Sequence, residues 1–181
     1  MNAVTPSWPT IRRELRADRR SFESVAEEHL DDVYRFLVYL TKDMHTADEL
    51  TGETFARALT AYKRFDERRG SARTWLCQIA RSAALDHFRA EERRRKRERN
   101  YAATEPVSHD LDPFAGLSPT LRKALGELSA ADREVIALRV ILELDGEAAA
   151  RVMGIGRTAC AMRLSRALKK LEEKVEIDAL V

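Results

Sequence analysis

A chain of 181 residues that is 44% hydrophobic and 34% charged has room for one ordinary domain or two small ones, each with a core. Two widely separated cysteines, Cys77 and Cys160, exclude a disulfide framework and read as small buried hydrophobes; four histidines without paired spacing offer no metal site. Apolar runs fall well short of the ~20 residues of a membrane span and no signal-peptide pattern opens the chain, so a soluble, cytoplasmic protein without membrane insertion is expected.

Residues 1–20 hold Pro6, Pro9 and the run Arg12, Arg13, Arg16, Arg19 and Arg20, and read as an N-terminal extension. Helical periodicity begins behind Ser21, a plausible N-cap, with Phe22, Val25, Ala26, Val33, Phe36, Leu37 and Leu40 on one face. Thr46-Ala47-Asp48-Glu49 has the form of a capping box, followed by an apolar face of Leu50, Thr54, Phe55, Ala58, Leu59 and Tyr62. The polar stretch from Asp66 to Gly70 predicts a loop. Ser71 then caps a third helix that buries Trp75, Leu76, Ile79, Ala80 and Ala83 and runs into an arginine cluster. Three helices with short connections over residues 21–99 predict a bundle.

Residues 100–117 lose this periodicity, carry Pro106 and Pro113, and predict a flexible linker. Ser118-Pro119 opens a second helical unit spanning residues 118–175, with Leu121, Leu125 and Leu128 apolar. Ser129 starts a further helix bearing Val135, Ile136, Val140 and Leu142. Asp145 caps a short one with Ala149, Val152 and Met153. Gly154 turns the chain into a last helix, whose predicted buried stripe is Cys160, Leu164, Leu168, Leu171 and Val175; residues 176–181 form a tail. The fold class is therefore all-α, in two small domains.

The net charge of +2 conceals segregation. Arg89, Arg93, Arg94, Arg95, Lys96, Arg97 and Arg99 form one basic stretch. Arg151, Arg157, Arg163, Arg166, Lys169 and Lys170 form another, with no acid between Arg151 and Lys170. A short helix, a glycine turn and a longer basic helix make a helix-turn-helix pattern, whose solvent face would present Thr158, Met162, Ser165, Arg166 and Lys169, with Arg157 at the entrance and Arg163 on a flank, to phosphates and base edges. The plain alternative is an amphipathic helix with a solvated basic face. No nucleophile–base spacing and no Gly-rich phosphate loop is present, so no catalytic residues, metal or cofactor are expected.

Three segments carry a resemblance. Ala47-Asp48-Glu49-Leu50-Thr51-Gly52-Glu53-Thr54-Phe55 resembles the "AEDLxQETF" signature of extracytoplasmic-function sigma factors. The stretch from Trp75 through Leu76-Cys77-Gln78-Ile79-Ala80-Arg81-Ser82 to His87 is similar to their "WLxxIARNxALDH", and Leu128 to Val135 to their "LPxxxREV". Order and spacing of all three fit, over about residues 22–171.

The resemblance implies an alternative sigma factor that recruits core RNA polymerase to specific promoters and stabilises their melting. The first unit would be sigma region 2, docking on the β′ coiled coil through Asp48, Glu49, Gly52 and Glu53. The loop from Asp66 to Ala72 and the helix after it would capture an unstacked base of the −10 element, using Arg68, Arg69, Ser71, Arg73, Trp75, Arg81, Ser82, His87 and Arg89. The second unit would be region 4, near the β flap, with Arg157, Met162, Arg163, Ser165, Arg166 and Lys169 at the −35 element. An anti-sigma factor is a further partner that many members have. Departures from the pattern are Gly52 for the usual Gln, Ser82 for Asn, Ala161 where Arg or Lys is frequent, Met162 for a small polar residue, and Gly156 for the usual Ser cap. The competing reading is a stand-alone helix-turn-helix regulator that binds an operator without polymerase.

Overall fold

The structure, a computed structural model, describes residues 21–98, 114 and 116–179. The extension at 1–20, most of the linker including Pro106 and Pro113, Arg99 and the last two residues lie outside the described residues. Among the described residues there are seven α-helices and no strand. The first half of the chain holds α1 (Phe22–Thr41), α2 (Met44–Ala61) and α3 (Ala72–Glu98), with two 3-10 turns, Tyr62–Arg64 and Glu67–Arg69, before α3. The second half holds α4 (Pro119–Glu127), α5 (Ala130–Ile136), α6 (Gly146–Met153) and α7 (Arg157–Ala179).

Local chemistry sets most boundaries. The Ser21 hydroxyl accepts from the Ser24 amide, and the Ser71, Ser118 and Ser129 hydroxyls do the same for Thr74, Leu121 and Asp132. The second helix begins earlier than the Thr46 box predicts. Lys42, with φ 58°, ends α1 in a left-handed cap, and the Asp43 carboxylate accepts from the Thr46 amide at 2.6 Å. A carboxylate caps at least as well as a threonine hydroxyl, so Thr46 falls inside the first turn.

Three other expectations are corrected. After Ile136 the helix widens into a π-type segment, Ala137–Ile141, in which the Leu142 amide donates to the Ala137 carbonyl at 2.8 Å. The wider turn brings Leu138, Leu142 and Leu144 inward and leaves Val140 47% exposed. On α7 the buried positions are Cys160 and Ala167, with Leu164 and Leu171 half-buried, whereas Leu168 faces out. At about 100° per residue, Ala167 lies only about 20° around the axis from Cys160, whereas Leu168 lies about 80° away, at the edge of the stripe. Leu59 on α2 also faces out, because Leu50, Thr54 and Ala58 already occupy the seam.

The halves share one core. Val25, Phe36, Leu37, Leu76, Ala80 and Ala84 belong to the same apolar cluster as Phe114, Leu128, Val135, Leu138 and Leu142. Each fully buried large side chain contributes about 1.5–3 kcal/mol, so the shared seam is substantial. Phe114, from the linker, packs on Tyr39 with centroids 5.1 Å apart. Across the seam Arg133, buried on α5, donates to the Tyr39 carbonyl at 3.0 Å and the Leu40 carbonyl at 3.4 Å at the end of α1, and also to its own Leu128 carbonyl. These free carbonyls of a helix C-terminus suit a cation.

Candidate nucleic-acid interface

Phe65, in the short link between the 3-10 turns, is buried because three rings converge there. Its ring stacks on Trp75 of α3 at 4.7 Å and on Tyr62 at 6.0 Å. Beside this stack lies a cavity of about 430 Å³ whose walls include Arg69, Gly70, Ser71, Trp75 and Gln78. Its lining mixes an aromatic face, hydroxyls and guanidinium groups. That combination suits a flat heterocycle with an attached phosphate.

Of the residues expected at the −10 element, the fold brings Arg69, Ser71 and Trp75 together on this cavity. Arg68 is exposed on the adjoining turn, its amide donating to the Asp66 carboxylate at 3.1 Å. Arg73 turns away and grips Asp32 of α1 through two nitrogens, at 2.7 and 3.0 Å. Further along α3, Arg81 pairs with Glu134 of α5 at 2.5 Å, Ser82 is exposed, His87 sits edge-on to Phe88, and Arg89 pairs with Asp86 at 3.4 Å. Arg93 to Arg97 follow, all exposed on the same helix.

The acidic group on α2 is fully displayed: Asp48, Glu49, Gly52 and Glu53 are all exposed. Glu49 lies 3.4 Å from His45. Glu53 lies 2.5 Å from Arg57, which also reaches Asp86 of α3 at 3.2 Å.

In the second half Gly154, with φ 66°, makes the left-handed turn between α6 and α7, a conformation that glycine adopts without strain. Asp145 caps α6 by accepting from the Glu147 and Ala148 amides, both at 2.8 Å, and these bonds hold its carboxyl below the usual range. On α7 Arg157, Met162, Ser165, Arg166 and Lys169 are exposed on the solvent side, as predicted, and Met162 is 58% exposed. Arg163 is half-buried. Its charge lies near Asp132, whose carboxyl is lowered, and near Glu134, where it opposes the larger upward effect of burial, so it faces the interior acids as well as solvent.

The side chains that sequence reasoning missed are those that join the halves. Arg151 of α6 donates to the Arg69 carbonyl at 2.7 Å, and Gln78 of α3 donates to the Arg151 carbonyl at 3.3 Å. Glu134 was visible only as part of a motif; its burial raises its carboxyl pKa, against the opposing pull of Arg81. Among the described residues, no helix is long and apolar enough to cross a membrane.

Comparison with known proteins gives a consistent result. Sigma-70 region 2 matches residues 25–94, and sigma-70 region 4 matches residues 119–171. The ECF RNA polymerase sigma factor SigC of Mycobacterium tuberculosis is 34% identical over 167 residues, covering 91% of this chain and 89% of the relative. SigM of Bacillus subtilis, another ECF sigma factor, is 29% identical over 84% of this chain and 93% of its own. Among solved structures, the sigma factor RpoE in complex with the anti-sigma factor NepR, from Bartonella quintana, superposes with a TM-score of 0.74 at 25% identity. That match covers 87% of this chain and 98% of the other.

Proposed function

We propose that this chain, which belongs to the extracytoplasmic-function family of RNA polymerase sigma factors, divides promoter reading between the cavity at the start of α3 and the exposed basic face of α7. As an alternative sigma factor it directs polymerase to specific promoters. In our reading the acidic face of α2, Asp48, Glu49 and Glu53, docks on the β′ coiled coil. The cavity beside Trp75 receives an unstacked base of the −10 element, with Arg69 and Ser71 at the backbone and base edge. Arg166, Ser165 and Met162 meet the −35 major groove, while Arg157, Arg163 and Lys169 meet phosphates. Arg68, Arg81, Ser82, His87 and Arg89 would follow the −10 strand along α3, and Arg73 supports the bundle through Asp32.

The observation that carries this reading is the aromatic wall of Phe65 and Trp75 facing a cavity edged by Ser71 and Arg69. Melting costs about 1–2 kcal/mol per base step. Stacking on an aromatic side chain returns about 1–3 kcal/mol per base, so one or two captured bases and a few phosphate contacts offset the loss. Such work needs binding energy alone, with no bond broken by the chain. We also propose a cytoplasmic location and, by analogy with the RpoE–NepR pair, an anti-sigma partner.

The test is run-off transcription from fragmented genomic DNA with bacterial core polymerase, with and without the protein. Discrete starts that require the protein are expected, and their alignment supplies the promoter sequence. Arg166→Ala should then weaken −35 binding by about 1–3 kcal/mol while core binding persists. Glu53→Lys should weaken core binding instead. Unaltered output from the first variant, or unaltered docking by the second, would refute the corresponding face.

A further inference from the structure

The outward face of α7 changes chemistry along its length. At about 100° per residue, buried Cys160 and half-buried Leu171 stand about 160° and 180° around the helix from Met162. Met162 is therefore at the centre of the exposed side, and it is 58% exposed. Thr158 and Ala159, both exposed, lie one turn earlier and about 40° and 60° to either side of it. On the first two turns this face thus ends in methyl groups, with the Thr158 hydroxyl the one polar side-chain group among them. Ser165 and Arg166 follow one turn later, about 60° and 40° from Met162. The Arg166 Nε donates to the Met162 carbonyl at 3.2 Å, which ties the guanidinium to the Met162 turn. Arg157 and Arg163 stand about 140° and 100° away, on the flanks.

Such a face does not suit every base edge equally. In the major groove only thymine carries a methyl group; the other bases present donors and acceptors alone. A thioether is at best a weak acceptor. Seated on guanine, adenine or cytosine, it would strip water from polar atoms and return no good hydrogen bond. Seated on the thymine methyl, it buries apolar surface on apolar surface. We propose that Met162, flanked by Thr158 and Ala159, is a specificity-determining residue that selects thymine in the −35 element through its 5-methyl group, next to a guanine read by Arg166. This rests on the reading of α7 as the −35 helix. Four residues of helix advance about 6 Å, so the thymine and the guanine lie within about two base pairs of each other at 3.4 Å per step. Single exposed methionines are ordinary; the place of Met162 at the centre of the reading face gives it this role.

The test uses the full chain bound to core polymerase. Duplexes are selected from a random-sequence library by the wild type, Met162→Ser and Met162→Leu, and the −35 sequences that each recovers are compared. Met162 is exposed, so both variants keep the core intact. The wild type should recover thymine within about two base pairs of guanine. Met162→Leu, which keeps an apolar end, should recover the same pair, whereas Met162→Ser should keep the guanine and lose the thymine. On the duplex chosen by the wild type, deoxyuridine in place of that thymine removes the methyl group alone. It should weaken wild-type binding about fourfold, the worth of one buried methyl group, and leave Met162→Ser binding unchanged. Thymine retained by Met162→Ser, or wild-type binding indifferent to deoxyuridine, overturns the methyl contact while leaving α7 as the −35 helix. Recovery of no common −35 sequence by the wild type overturns that reading of α7, and the proposal with it.

Discussion

The indole of Trp75 lies on the ring of Phe65, with centroids 4.7 Å apart and planes 29° from parallel. Phe65 is buried and Trp75 only half so, which leaves part of the indole available to a third ring. Trp75→Ala should cost about 2–3 kcal/mol of stability, below the range for fully buried aromatics. It should also reduce promoter melting by the polymerase complex by about 1–3 kcal/mol. Trp75→Phe keeps a π-face and should lose less of both. Urea unfolding and permanganate reactivity of promoter thymines measure the two effects. Wild-type melting by Trp75→Ala would remove the indole from base capture.

Arg133 serves three carbonyls from both halves of the chain while 6% exposed. Its replacement by Met keeps the apolar stem and strands those acceptors, at about 3 kcal/mol. Because the guanidinium bridges the seam, the loss should fall on the coupling between halves. Urea denaturation followed by circular dichroism should change from one transition to two, each with a smaller slope. A single transition at the wild-type midpoint would contradict the bridging role.

Asp132 and Glu134 should tilt stability with pH in opposite senses. Burial raises the Asp132 carboxyl, but hydrogen bonds from Lys170, at 2.8 Å, and Ser129 outweigh it and hold the group below its ordinary value of 3.8. Its stabilising contribution is present above that value and is lost as pH falls through the folded one. Asp132→Asn should therefore lose stability at neutral pH and flatten the acid limb of the stability curve. For Glu134, burial raises the carboxyl above its ordinary 4.5, more than Arg81 lowers it. Its contribution is full below that value and is lost as pH rises through the folded one. The wild type should gain on Glu134→Gln as the solution is acidified. Guanidinium titrations at several pH values decide both, and parallel curves for either variant would refute its assignment.

Gly52 sits inside α2 with nothing within 4 Å of an added Cβ. Glycine within a helix costs about 0.8–1 kcal/mol relative to alanine. Gly52→Ala should raise the melting temperature by about 2–4 °C. Gly52→Gln should stabilise comparably and, by placing an amide between Glu49 and Glu53, strengthen binding to core polymerase. Calorimetry and a core-binding titration separate these outcomes; an unchanged melting temperature for Gly52→Ala would show that the position is not an ordinary helix interior.

What could be read from the sequence was local. Ser71, Ser118, Ser129 and Asp145 cap where expected because a cap bonds to an amide two or three residues on. The exposed face of α7 was legible for a similar reason, since helical period alone sorts Arg166 from Cys160. Residue type points Leu168 inward, whereas the helix buries Ala167 and leaves Leu168 exposed. The π-type segment left no pattern in residue type, so Val140 could not be assigned outward. The seam was illegible for a stronger reason: Arg133 meets Tyr39 across 94 positions, and Arg151 meets Arg69 across 82. Neither arginine differs in type from the solvated ones beside it.

The third helix carries a geometrical consequence of its own. Its 27 residues run without interruption from the cavity to the arginine cluster, a rod of about 40 Å at 1.5 Å per residue. A rod of that length matches about twelve base pairs of duplex at 3.4 Å each, so its two ends are indexed to one another in both distance and angle. One residue added within it would advance the far arginines by about 1.5 Å yet rotate them by about 100° around the axis. Insertions in the connecting loops alter length, whereas an insertion here alters phase, and the cavity and the far arginines would no longer keep their angular relation around the axis.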